Sequence, residues 1–155
     1  MYFLDGYNLL FTCFHSNHPL SSQRDAFIKW LQERFSSRRI QGALIFDGDR
    51  NRKGESGRTY SSPLEIIYTS HHESADAYIL EKLEGNARRS EITVVTNDRH
   101  LSRGVRALGT KTLKNEAFLA WLQEKALNPP DEKPNFKETD RHFQRLLKLW
   151  TTDDP

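Results

Sequence analysis

Carboxylates close the apolar runs of this chain. YFL (2–4) stops at Asp5, ALIF (43–46) at Asp47 with Asp49 next but one, and ITVV (92–95) at Thr96-Asn97-Asp98. LEIIY (64–68) leads through Thr69-Ser70-His71-His72 into Glu73-Ser74-Ala75-Asp76. A carboxylate buried without a partner costs several kcal/mol or more, so each of these acids must reach solvent or be held by something positive. Acids that share one site also repel one another and raise each other's pKa. A hard divalent cation removes that conflict, and Mg2+ and Mn2+ take oxygen ligands while retaining waters for chemistry. Asp5, Asp76 and Asp98 are thus candidate ligands of one cation, if the fold brings them together. Taken singly, each acid also reads as a turn former or a helix N-cap. Asp47-Gly48-Asp49 reads as a turn, and Glu73 and Asp76 as residues that favour a helix N-terminus. Four such segments in one chain are what favour a site.

The elements that must position these acids follow from hydrophobic spacing. YFL, ALIF, LEIIY and ITVV read as strands, and TKTL (110–113) as a last one. Ser22 with Asp25 three residues later resembles a capping box, and Phe27, Trp30, Leu31 and Phe35 follow at helical spacing. Ala75, Ile79, Leu80 and Leu83 mark a second helix closed by Gly85-Asn86. A short helix spans about 99–108 before Gly109, and Phe118, Trp121 and Leu122 mark another. Strands alternating with helices predict an α/β fold with a largely parallel sheet covered on both faces. In such sheets ligands bind beyond the carboxyl ends of the strands, where the acids fall. Glu73 and Asp76, at i and i+3, are expected to be helix neighbours. Asp76 is expected to share the packed face of Ile79, Leu80 and Leu83.

The stretch NPPDEKPN (128–135) breaks structure with three prolines. Beyond it a final helix is expected, with Phe136, Phe143, Leu146, Leu147 and Trp150 on one side and Lys137, Arg141, Arg145 and Lys148 on another; the tail TTDDP is expected to fray. A chain of 155 residues with one cysteine, Cys13, is read as one domain of residues 1–126 with an appendage, a linker and basic amphipathic helix, at 127–155. One cysteine excludes an intrachain disulfide and a Cys-rich zinc site, and Cys13 reads as a small apolar filler. No signal-peptide pattern opens the chain, and no apolar stretch approaches the ~20 residues of a membrane span. The expectation is a soluble cytoplasmic monomer. The net charge of +2 is mild, but the basic residues gather in loops and on the last helix.

The order FLDGYNLL (3–10), LIFDGD (44–49), HESADAYIL (72–80) and VVTNDRHL (94–101) resembles the NYN domain of PIN-like ribonucleases, in particular the bacterial YacP-like group, over roughly residues 1–125. The resemblance implies a Rossmann-like PIN fold and a metal-dependent endoribonuclease using Mg2+ or Mn2+, with RNA as partner; some members act on messenger RNA at the ribosome. It implies Asp5, Asp76 and Asp98 as the acidic metal site and Asn8 as a group orienting Asp5 or a water at the metal. It implies Glu73 as an outer carboxylate and Asn97 as support for the loop holding Asp98, with Asp47 a looser match. RNRKGESGR (50–58) departs from the family pattern. Its Arg50, Arg52, Lys53 and Arg58 are candidate phosphate contacts, since basic loops attract phosphate backbones without reading sequence. Arg99 and His100 are further RNA-contact candidates, His71 and His72 could contact phosphate or shuttle a proton, and Tyr7 or Tyr60 could stack an unpaired base. Residues 127–155 lie outside the resemblance.

Two other classes compete. LIFDGDRN resembles the opening of haloacid-dehalogenase-like phosphatases, with Asp47 as nucleophile and Asp49 as general acid. Against it, Asn51 stands where Thr or Val is expected, and that motif belongs on the first strand. The other is a non-catalytic RNA- or ribosome-binding module.

Overall fold

A computed structural model describes residues 1–15, 17–48, 58–59 and 63–124. The elements run β1 (Tyr2–Asp5), α1 (Gly6–Cys13), α2 (Leu20–Arg38), β2 (Gly42–Phe46), β3 (Arg58–Thr59), β4 (Leu64–Tyr68) and α3 (Ala75–Glu84), then a 3-10 turn at Arg89–Glu91, β5 (Thr93–Val95), α4 (Arg99–Ala107), β6 (Lys111–Leu113) and α5 (Asn115–Gln123). The sheet order is β3-β4-β2-β1-β5-β6. Five strands are parallel, and β3 adds an antiparallel pair on β4. The expected α/β architecture is therefore present.

Alternation along the strands decides which side each residue serves. Leu4, Leu44, Phe46, Leu64, Ile66 and Val95 join the core beneath α1, α2 and α5. Phe3, Ala43, Ile45, Ile67 and Val94 join the core beneath α3 and α4. Each helix docks by a row three or four residues apart: Phe27, Leu31 and Phe35 on α2, Ala75, Ile79 and Leu83 on α3, Leu101 and Val105 on α4. The chain builds outward from β1 through β2 to β4, then returns to the other flank of β1 with β5 and β6. The switch point thus lies between β1 and β5, the place where open α/β sheets bind ligands.

Several local expectations need correction. The helix α1, starting directly after Asp5, was not foreseen, nor was β3. The helix α2 begins at Leu20, with Pro19 at the N-cap and no side-chain cap. Ser22 and Asp25 lie exposed inside it, so they form no capping box. Proline's locked φ, here −54°, presets the helix entry three residues earlier. On α3 the buried row is Ala75, Ile79 and Leu83, and Asp76 and Leu80 lie half-buried beside it. Glu73 precedes the N-cap Ser74, so it is not a helix neighbour of Asp76. Gly85 caps α3 with an ordinary φ of −76°, whereas Gly109, after α4, uses a positive φ of 77°. The linker and final helix expected at 127–155 lie outside the described residues.

Candidate active site

Asp5 is the last residue of β1 and caps α1 from its backbone position. It continues the strand face of Phe3, toward the side where α3 and α4 begin. It is only 7% exposed. Its Oδ2 accepts a hydrogen bond from Thr96 Oγ1 at 2.9 Å. Burial raises its pKa to about 7; the Thr96 bond opposes this, and the charges of Asp76, Asp47 and Asp98 add to the rise. Asp76, in the first turn of α3, is also raised, by burial first and then by Asp98 and Asp47, with His100 opposing. Four carboxylates from four segments therefore feel one another at the carboxyl edge.

Two of the four also do structural service. Asp98 is the N-cap of α4, and its Oδ1 accepts from the N–H groups of His100 at 2.7 Å and Leu101 at 3.0 Å. Asp47 Oδ1 accepts from Ala75 N at 2.7 Å, tying the end of β2 to the start of α3. Ser74 completes that start, its Oγ accepting from Ala77 N at 3.1 Å. The simple capping role weighed for these acids is thus real, and it anchors them at the shared edge.

Thr96 is a hub that the sequence reading quoted without assigning. Besides donating to Asp5, its Oγ1 accepts from Asp98 N at 3.0 Å. Asn8 is one step from Asp5, its Oδ1 3.4 Å from the Thr96 hydroxyl that bonds Asp5. Its Oδ1 accepts from Asn97 N at 2.9 Å and from Asn115 Nδ2 at 2.8 Å. Asn8 thus bonds the loop before Asp98, and Thr96 is the side chain whose hydroxyl reaches Asp5. Asn97 holds the same loop, with Oδ1 accepting from Asn115 N at 3.0 Å and Nδ2 donating to Glu116 Oε1 at 2.8 Å. Asn115, fully buried, was missed. No periodicity or motif marks it, because its partners are distant in sequence. Thr69 was missed as well; its Oγ1 accepts from Gly48 N, 21 residues away, and donates to Glu73 O.

The remaining candidates fall elsewhere. Glu73 lies in the turn before α3, and its charge is not among those acting on Asp5 or Asp76. Arg99, His100, His71 and His72 are exposed near this edge. Tyr7 packs edge-on against Phe46 and accepts from Arg24 Nη1 at 3.1 Å, which makes it a rim residue of the core. Burial, and then Glu116, push the Cys13 thiol far up, so it is no thiolate. Asp49, Arg50, Asn51, Arg52, Lys53 and Tyr60 lie outside the described residues, as does the side chain of Arg58.

The donor chemistry fits a hard divalent cation: every candidate ligand is a carboxylate oxygen, and burial and like charges raise the pKa of Asp5 to about 7. Among the described residues no three His, Cys, Asp or Glu side chains close on one point. That is compatible with Mg2+, which is commonly bound through one or two carboxylates, waters and substrate phosphates rather than an all-protein cage.

The fold has close counterparts among solved structures. Rae1 (YacP) from Bacillus subtilis superposes with a TM-score of 0.60 and 20% identity, covering 99% of this chain and 82% of that one. Its W164L mutant gives 0.61 and 19%, covering 99% and 84%. No curated protein sequence matches. The model of the YacP-like NYN domain matches residues 2–149, nearly the whole chain. The strand-end acids, the sheet and this match agree, and the chain belongs to the YacP-like NYN domain family.

Proposed function

We propose that this chain is a metal-dependent endoribonuclease that hydrolyses RNA phosphodiesters. The nuclease-like character of the NYN family and RNA as its substrate class support the reading. The observation that carries it is the coupling of Asp5, Asp47, Asp76 and Asp98 at the switch point, with the pKa of Asp5 lifted to about 7. Asp5, Asp76 and Asp98 would hold Mg2+ or Mn2+, one or two of them directly and the rest through waters. When bound, such a cation lowers the pKa of a water and neutralises charge on the phosphate oxygens.

The chain's own part is orientation. Thr96 fixes the Asp5 carboxylate, and the cap on α4 leaves Asp98 one oxygen free of the helix. Asp47 and Ser74 hold the first turn of α3, and with it Asp76. Arg99 and His100, exposed beside Asp98, would meet the phosphate backbone, and the charges of Arg50, Arg52, Lys53 and Arg58 make them further candidate phosphate contacts. No covalent enzyme intermediate is required, in keeping with the protonated Cys13. A ribosome-bound messenger RNA is the preferred target within this reading.

The test is end-labelled single-stranded RNA incubated with the protein in Mn2+, Mg2+ or EDTA, beside Asp76→Asn. Internal cleavage that needs metal and falls at least about 100-fold in the variant is expected. Metal-independent cleavage, or an unimpaired variant, would sink the idea. Activity only when ribosomes are added would establish the ribosomal target; no activity in either setting would leave a binding module.

A further inference from the structure

We propose that Asn115 and Glu116, the first two residues of α5, are positioning residues that set the loop carrying Asp98 and the hydroxyl that orients Asp5. The inference rests on the nuclease reading above and deepens it.

Asn97 stands between Thr96 and Asp98, and its polar groups are held from several sides. Its backbone N–H goes to Asn8 Oδ1 at 2.9 Å, its Oδ1 accepts from Asn115 N at 3.0 Å, and its Nδ2 donates to Glu116 Oε1 at 2.8 Å. Two of these three bonds come from α5. Asn115 also secures the third, because its Nδ2 lies 2.8 Å from Asn8 Oδ1 and 3.1 Å from Asn8 O. It reaches Thr12 Oγ1 at 2.8 Å as well, and Thr12 returns a bond to Asn8 O at 3.0 Å. One buried amide thus ties α1, α5 and the β5–α4 loop together.

The hydrogen bonds of Asn115 and Glu116 go to Asn97, Asn8 and Thr12, not to an acid of the site. They act through Asn97, which fixes its neighbours. Thr96 Oγ1 then meets Asp5 Oδ2 at 2.9 Å while accepting from Asp98 N at 3.0 Å. Asn115 Oδ1 is buried without a partner among the described residues. A residue placed there for packing alone would carry no orphaned acceptor, since desolvating a polar atom without a hydrogen bond is unfavourable. The donor half of the amide is what the position uses.

The test compares Asn115→Ala, Glu116→Ala and Glu116→Gln with the wild type. Glu116 is exposed, so its variants keep the fold even if Asn115→Ala does not. Three quantities are read: kcat and KM on single-stranded RNA with Mn2+, Mn2+ affinity by calorimetry without RNA, and amide hydrogen exchange at Asn97 and Asp98 in the metal-free protein. We expect the two alanine variants to lose about 10–100-fold in kcat with KM unchanged, to bind Mn2+ more weakly and to exchange faster at both amides. Glu116→Gln keeps an acceptor for Asn97 and restores all three. Folded alanine variants with wild-type kcat, Mn2+ affinity and exchange overturn the proposal. So does a Glu116→Gln as impaired as Glu116→Ala, which would assign the effect to charge at the helix N-terminus. If the wild type cleaves RNA neither alone nor with ribosomes, the nuclease reading fails, and Mn2+ affinity and exchange still decide the positioning role.

Discussion

Asp5 concentrates the electrostatic conflict of this protein in one side chain. Its carboxyl has a pKa of about 7 in the folded chain, against an ordinary 3.8 that the unfolded chain approaches. The folded state therefore holds this proton more tightly. The stabilisation it confers is fully present below pH ~4 and is lost as pH rises through about 7. A gap of roughly three pH units corresponds to something on the order of 4 kcal/mol. In EDTA, Asp5→Asn should therefore melt above the wild type at pH 8, with the difference shrinking toward pH 5. Thermal unfolding at the two pH values checks this, and a constant difference would contradict the assignment. The neighbouring Thr96 works against the same burial cost, because its hydroxyl bond favours the charged carboxylate.

At the scale of elements, the close join of β1 to α1 sets the site. The helix starts one residue after the strand's last carboxylate, so its first turn presses on β2. A Cβ at Gly6 would lie 2.5 Å from Phe46 Cδ1 and 2.6 Å from the Ile45 carbonyl oxygen. The second contact is with backbone, which cannot rotate away. Gly6→Ala should therefore cost about 1–3 kcal/mol, read as a lower urea midpoint with an unchanged slope, and should displace Asp5 enough to reduce cleavage. The strands and most helices were legible because a buried β-branched or aromatic run has few alternatives. The junctions were less so. Hydrophobic spacing does not distinguish GYNLLFTC as a helix from the tail of an apolar strand, and the start of α2 obeyed Pro19 rather than the Ser22–Asp25 pair.

For the whole molecule, the order β4-β2-β1-β5-β6 decides which acids meet. With β1 between β2 and β5, Asp5 lies between Asp47 and Asp98, and α3 delivers Asp76 across the same edge. A cation that binds the native carboxylates and not the unfolded chain raises stability by mass action. Mn2+ should therefore raise the melting temperature at pH 8, raise it less at pH 5 where Asp5 holds its proton, and do neither in Asp76→Asn. An equal rise in all three would place the metal elsewhere. Among the described residues no helix is long and apolar enough to cross a membrane.

Sequence by itself determined the α/β class, five strands in a largely parallel sheet, the glycine stop at Gly109 and the placing of acids at strand ends. Each of these follows from local periodicity, backbone preference or the cost of burying charge. Only the tertiary structure decided how those acids are used. It brought Asp47 within electrostatic range of Asp5 and left Glu73 in a turn outside that set. It set the Thr96 hydroxyl on Asp5 and Asn8 on the loop before Asp98, and it placed Asn115 beneath the edge. The bond from Asn115 to Asn8 spans 107 residues. Contacts of that range depend on strand order and on how helices dock, and no window of local spacing contains that information.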